Sequence, residues 1–118
     1  MLTVYGIKSC DTVRRARRWL EAHGVDYRYH DLREDGLDAS RLAAWIEAVG
    51  VEALVNRRST AWRSLPAPAR AAFEGATARE QLLRQPTLLK RPILDTGSSL
   101  HSGFSAGDWA RLLAMHTL

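Results

Sequence analysis

The chain has 118 residues, 46% of them hydrophobic and 25% charged, with a formal net charge of +4 from 17 Lys and Arg against 13 Asp and Glu. That is material for one compact domain, 1–118, and too little for two cores. A single cysteine excludes an internal disulfide framework, and no apolar run approaches the roughly 18 residues of a membrane span.

The first residues, MLTVYGIKSCD, lack the basic start and longer apolar run of a secretory signal, so a cytoplasmic protein without a membrane partner is expected. LTVYG, residues 2–6, is a β-rich run closed by glycine and predicts a strand. After Cys10 the pattern turns helical. Val13, Ala16, Leu20 and His23 recur at near-helical spacing, and Gly24 suits the position just past a helix end. DYRYHD, 26–31, predicts a second strand, parallel to the first because a helix joins them.

A mostly helical stretch follows. Asp38 is placed to cap a helix, with Leu37 and Leu42 as its hydrophobic staple. Leu42, Trp45, Ile46 and Val49 form the apolar stripe and Gly50 ends it. VEALVNRRSTAWRSL, 51–65, predicts a short helical turn and then an exposed basic segment. PAPARAAFEG and TAREQLLRQ predict two more short helices, the second opened by Thr77 and Glu80 at capping-box spacing. Beyond Pro92, Ile93–Leu94 is a short apolar run, 96–99 is a turn, and LHSGF returns as a partner strand. Ser105 and Asp108 cap a last helix, stapled by Phe104 and Trp109, with Trp109, Leu112, Leu113 and His116 on one face. The whole is a β-α-β … β-β-α pattern interrupted by a helical insert over about 38–85. It predicts an α/β domain with helices layered on a mixed four-stranded sheet.

Cys10 stands where the first strand stops and the first helix starts. A free cysteine is most often a small buried apolar side chain. At a helix N-terminus, however, unpaired N–H groups and the helix dipole favour an anion, and a thiolate is one. Lys8 lies two residues before it and Arg14 four after, and both are candidates to stabilise that thiolate. Asp11 works against ionisation unless it caps the helix. Arg15 and Arg18 read as a solvated face. The four histidines, His23, His30, His101 and His116, are scattered without ligand spacing, so no metal is expected. The arginines are dispersed and interleaved with acids, so nucleic acid is not an expected partner.

Three segments together resemble the arsenate reductase (ArsC)/Spx-like family of the thioredoxin superfamily, in its single-cysteine, YffB-like branch. They are LTVYGIKSCDTVRRARRWLEAHG, ALVNRRSTAWRSL, and LLKRPILD followed by GSSLHSGFS. The resemblance implies a thioredoxin-like fold and Cys10 as the catalytic thiol. It implies that Arg91 binds an anionic substrate or glutathione beside Pro92, whose peptide bond is typically cis in such folds. The family's insert arginine falls near Asn56 here, with Arg57 and Arg58 next in line for that role. Its last-hairpin arginine is replaced in the run Ser99–Leu100–His101. A substrate other than arsenate is therefore implied.

The expected function is a monothiol, glutathione-linked reductase acting on a small anionic or disulfide substrate. No bound cofactor is expected, and glutathione or a glutaredoxin would resolve the adduct because Val13 stands where a second cysteine would be. The alternative is an Spx-like adaptor acting on RNA polymerase without a redox switch. A monomer is expected.

Overall fold

The computed structural model describes residues 2–116 along the backbone and side chains as far as Ala114. It divides into two compact units. One comprises residues up to Asp35 together with those from Arg91 onward; the other is Gly36–Lys90.

The first unit is α/β. Strand β1 (Leu2–Gly6) leads into helix α1 (Asp11–Ala22) and then strand β2 (Tyr27–Asp31). After the second unit, strands β3 (Ile93–Asp95) and β4 (Leu100–Ser102) precede the last helix, Ala106–His116. The sheet order is β2-β1-β3-β4. β1 and β2 are parallel, as a helical crossover requires, with Leu2 opposite Tyr27 and Gly6 opposite Asp31. β1 and β3 are antiparallel, with Thr3 opposite Asp95 and Tyr5 opposite Ile93. β3 and β4 form a hairpin. Val4, Ala16, Leu20, Leu94, Trp109 and Leu113 form one buried cluster, so both helices pack on the sheet. This is the thioredoxin-like arrangement the sequence implied, and the Arg91–Pro92 bond is cis.

The second unit is helical. It runs α2 (Ala39–Val49), α3 (Val51–Leu54), α4 (Thr60–Arg63), α5 (Ala67–Ala71) and α6 (Gly75–Arg84), then a 3-10 turn at Pro86–Leu88. The final helix of the chain is therefore α7. Asp38 caps α2 as expected, its carboxylate accepting from the Arg41 amide at 2.7 Å. Gly50 ends that helix at φ 84, where a side chain would be strained. Leu54–Asn56 and Leu88–Lys90 are tied by the Asn56 amide on the Leu88 carbonyl, the Lys90 amide on the Leu54 carbonyl and the Val55–Leu89 bridge.

Three local expectations are corrected. The Thr77–Glu80 capping box is not formed: α6 starts at Gly75, and its first internal bond runs from the Ala78 amide to the Glu74 carbonyl at 3.2 Å. Thr77 is thus already inside the first turn. The basic segment after α3 is exposed at Arg57, Arg58 and Arg63 as expected, and within it Ser59 accepts from the Trp62 amide at 3.1 Å and starts α4. His23 leaves the apolar face of α1, since the helix ends at Ala22. The exposed imidazole stacks on Trp19 at 4.2 Å instead. Asp11 does not cap α1 but is its first residue. Phe104 and Trp109 do meet, edge to face at 4.9 Å; His116, the fourth member of that face, lies outside the described side chains.

Candidate active site

Cys10 is the N-cap residue of α1, with extended backbone (φ −83, ψ 119), and its side chain is partly exposed. It is presented by a tight turn. The Cys10 amide donates to the Ile7 carbonyl at 3.0 Å, so Lys8 and Ser9 are the turn's central residues. The Cys10 carbonyl accepts the first helical bond, from the Arg14 amide at 3.1 Å. Just ahead of the turn the backbone of Gly6 runs against α1: a Cβ built there would sit 2.6 Å from Val13 Cγ1. Val13 itself, where a second cysteine would fall, is 1% exposed and part of the core.

The site lies at the end of the sheet where β1 and β2 exit and β3 enters. β3 starts at Ile93, opposite Tyr5, so Pro92 immediately precedes the sheet at the end where β1 leaves it. The Gly103 amide donates to the Pro92 carbonyl at 2.8 Å. Pro92 is buried and Arg91 partly so, with Arg91 Nε out of contact with solvent. Sheet topology thus carries Cys10, Arg91 and Pro92 to one end of the same unit, although 81 positions separate Cys10 from Arg91 in sequence.

The two cations nominated beside Cys10 are committed to carboxylates. Lys8 Nζ pairs with Glu34 at 2.8 Å, and that hydrogen bond and charge raise the Lys8 pKa. Arg14 pairs with Asp11 one helical turn back, and its Nη1 donates to the Lys8 carbonyl at 3.2 Å. Both pairs are solvent-exposed, where such contacts are weak and readily exchanged for another anion. Arg14 also lines a shallow depression of about 480 Å³ with Asp11, Arg15 and Arg18. Arg57 and Arg58 belong to the helical unit. There Arg57 lies over the Trp62 ring at 5.3 Å and faces Glu52 at 3.9 Å, and the Arg58 amide donates to Asn56 Oδ1 at 3.1 Å.

Asp31 was legible in the sequence only as the end of a strand. It is 2% exposed, and its Oδ2 accepts from the Lys8 amide at 3.1 Å and the Tyr29 hydroxyl at 3.2 Å. Its Oδ1 accepts from the amides of Arg33 at 2.8 Å and Glu34 at 3.0 Å. Burial pushes its pKa up, but the backbone N–H bonds from Glu34, Arg33 and Lys8, with the Tyr29 hydroxyl, hold it below the usual carboxylate value. The same burial, with the Asp31 charge, drives the Tyr29 phenol up to about 12. A carboxylate followed within three residues by free turn amides is the signal that marks such a residue.

A family model described as the ArsC family matches residues 5–112. The chain belongs to the ArsC family. An uncharacterized protein of Haemophilus influenzae is 40% identical over 114 residues, 97% of this chain and 100% of that one. The global transcriptional regulator Spx of Lactiplantibacillus plantarum is 25% identical, over 96% of this chain and 86% of its own. Among solved structures, the YFFB protein has a TM-score of 0.88 at 37% identity, covering 94% of this chain and 97% of that one. An arsenate reductase (ArsC) related protein from Brucella melitensis has a TM-score of 0.79 at 44% identity, covering 92% and 90%. Membership places the chain in a thiol-dependent, reductase-like family.

Proposed function

We propose that this ArsC-family protein is a monothiol reductase in which Cys10 is the nucleophile and glutathione the resolving thiol. One observation carries the proposal: the chain's only cysteine caps a helix, partly exposed, at the sheet end shared with Arg91 and Pro92. Helix N-terminal amides favour the thiolate, the form that attacks.

With a glutathione mixed disulfide as substrate, Cys10 Sγ attacks the glutathione sulfur. A Cys10–glutathione disulfide forms, and the substrate thiolate leaves and takes up a proton. A second glutathione, as its thiolate, attacks the glutathione sulfur of that adduct. Oxidised glutathione leaves and the Cys10 thiolate is restored. The net change is exchange: the substrate sulfur leaves as a thiol, the incoming glutathione thiol is oxidised into a disulfide with the glutathione the substrate carried, and no internal second thiol is needed. Arg91 and Arg14 are the cations of this unit offered to the carboxylates of glutathione.

The test is incubation with oxidised glutathione followed by intact mass measurement. A single Cys10 adduct that reduced glutathione removes is the expected result, absent in Cys10→Ser. Failure of the wild-type chain to form it would end the proposal.

A second reading draws on the likeness to Spx: a binding adaptor acting on RNA polymerase, with no redox switch because Val13 replaces the second thiol. Such an adaptor keeps its partner after Cys10→Ser, whereas the reductase loses all thiol exchange.

A further inference from the structure

Asp31 is buried and charged, and no step above uses it. Three of the four hydrogen bonds to its carboxylate join two loops, and the fourth comes from Tyr29 within β2. The turn that presents Cys10 supplies the Lys8 amide, and the loop after β2 supplies the amides of Arg33 and Glu34. The same loops are also joined by the Leu32 amide on the Gly6 carbonyl at 2.8 Å and by the Lys8–Glu34 pair. Asp31's own amide donates to Asp35 Oδ2 at 2.9 Å, which closes the second loop on itself. Both backbone groups of Lys8 are thereby held: its N–H, in the Ile7–Lys8 peptide, by Asp31, and its C=O, in the Lys8–Ser9 peptide, by Arg14 Nη1. Lys8 is the first central residue of the Ile7–Cys10 turn, so fixing it fixes where Cys10 enters the helix.

We infer that Asp31 is a positioning residue: its buried carboxylate clamps the Ile7–Cys10 turn and holds Cys10 in its N-cap geometry. The inference rests on the reading of Cys10 as the nucleophile. The groups bonded to the carboxylate are the Lys8 amide, the Tyr29 hydroxyl and the amides of Arg33 and Glu34; the Lys8 ammonium feels the charges of Glu34, Asp31 and Asp35, and Arg17 lies over the Tyr29 ring at 3.8 Å.

Clamping and simple charge make opposite forecasts. A carboxylate acting only by its charge disfavours a nearby thiolate, so removing the charge would make Cys10 ionise more easily. A carboxylate acting as a clamp does the reverse, because loosening the turn lets the thiol drift from the helix amides.

The experiment is the pH profile of Cys10 alkylation by iodoacetamide in the wild type, Asp31→Asn and Tyr29→Phe. For Asp31→Asn the midpoint is expected to rise by about half a pH unit, about threefold less thiolate at fixed pH. Tyr29→Phe keeps the Lys8 clamp and should stay near the wild-type midpoint. A midpoint in Asp31→Asn that is unchanged or lower overturns the clamp. Amide hydrogen exchange of the wild type covers the case in which Asp31→Asn does not fold. The Lys8 amide should be as protected as the Leu32 amide, and a rapidly exchanging Lys8 amide also overturns the inference. A wild-type midpoint at the ordinary cysteine value of about 8.5 would instead sink the nucleophile reading. The difference between wild type and Asp31→Asn would still decide the clamp.

Discussion

In the α/β unit the decisive contacts join residues far apart in sequence. Leu2–Gly6 pairs with Ile93–Asp95, and Asp31 ties the loop after β2 to the turn before Cys10. In the helical unit the α-helices run from four residues, in α3 and α4, to 11 in α2, and several of their ends are set locally by Asp38, Gly50 and Ser59. The difference teaches where a thiol can be held. A reactive side chain needs a backbone that does not drift, and long-range sheet pairing with a buried polar clamp supplies one. Short helices closed by their own caps are specified more cheaply but fix less beyond themselves.

The largest effects test whether each unit rests on its own buried leucine. Leu20 and Leu42 are both 0% exposed, and each Leu→Ala change is expected to cost about 2–5 kcal/mol in urea unfolding. Hydrogen exchange separates them. Leu20→Ala should quicken exchange in the sheet and α1, and Leu42→Ala chiefly within 36–90. Uniform acceleration by either would erase the contrast.

Two glycines sharpen it at an intermediate scale. Gly6→Ala would drive a methyl to 2.6 and 2.8 Å from the two Val13 methyls, an overpacking cost of about 1–3 kcal/mol. Gly50→Ala meets nothing within 4 Å but sits at φ 84, so its cost of about 1–3 kcal/mol is backbone strain. Trimming Val13 to alanine should relieve the first and not the second, as measured by paired unfolding curves. Rescue of both, or of neither, would show that the causes are misassigned.

The smallest effect is at a cap. Asp38→Ala removes the acceptor of the Arg41 amide and should lower Tm by about 3–6 °C. The Arg41 amide, then the Ser40 hydroxyl, holds the Asp38 carboxyl below its ordinary value. A depressed carboxylate stabilises the fold above its unfolded value of about 3.9, and that stability is lost as pH falls through the folded value. The Tm gap between wild type and Asp38→Ala should therefore close in acid. A gap constant down to pH 3 would contradict the cap.

Much of this was readable along the chain. The strand–Cys–helix start, the Asp38 cap, the Gly50 stop and the Ser105–Phe104–Trp109 entry to α7 depend on neighbours within about four residues. The failures share a cause. Thr77 and Glu80 have capping-box spacing, but the helix begins two residues earlier, and spacing cannot reveal the phase of a helix. His23 fits the α1 stripe by count but falls one residue past its end.

Cys10 at the mouth of a helix, and the absence of a second thiol at Val13, follow from residue order alone, because a helix start is a local event. That Arg91 and Pro92 come to the same sheet end, and that Asp31 grips the Lys8 amide, required the folded chain. Strand register and burial are set by partners many residues away, and no local pattern carries that information.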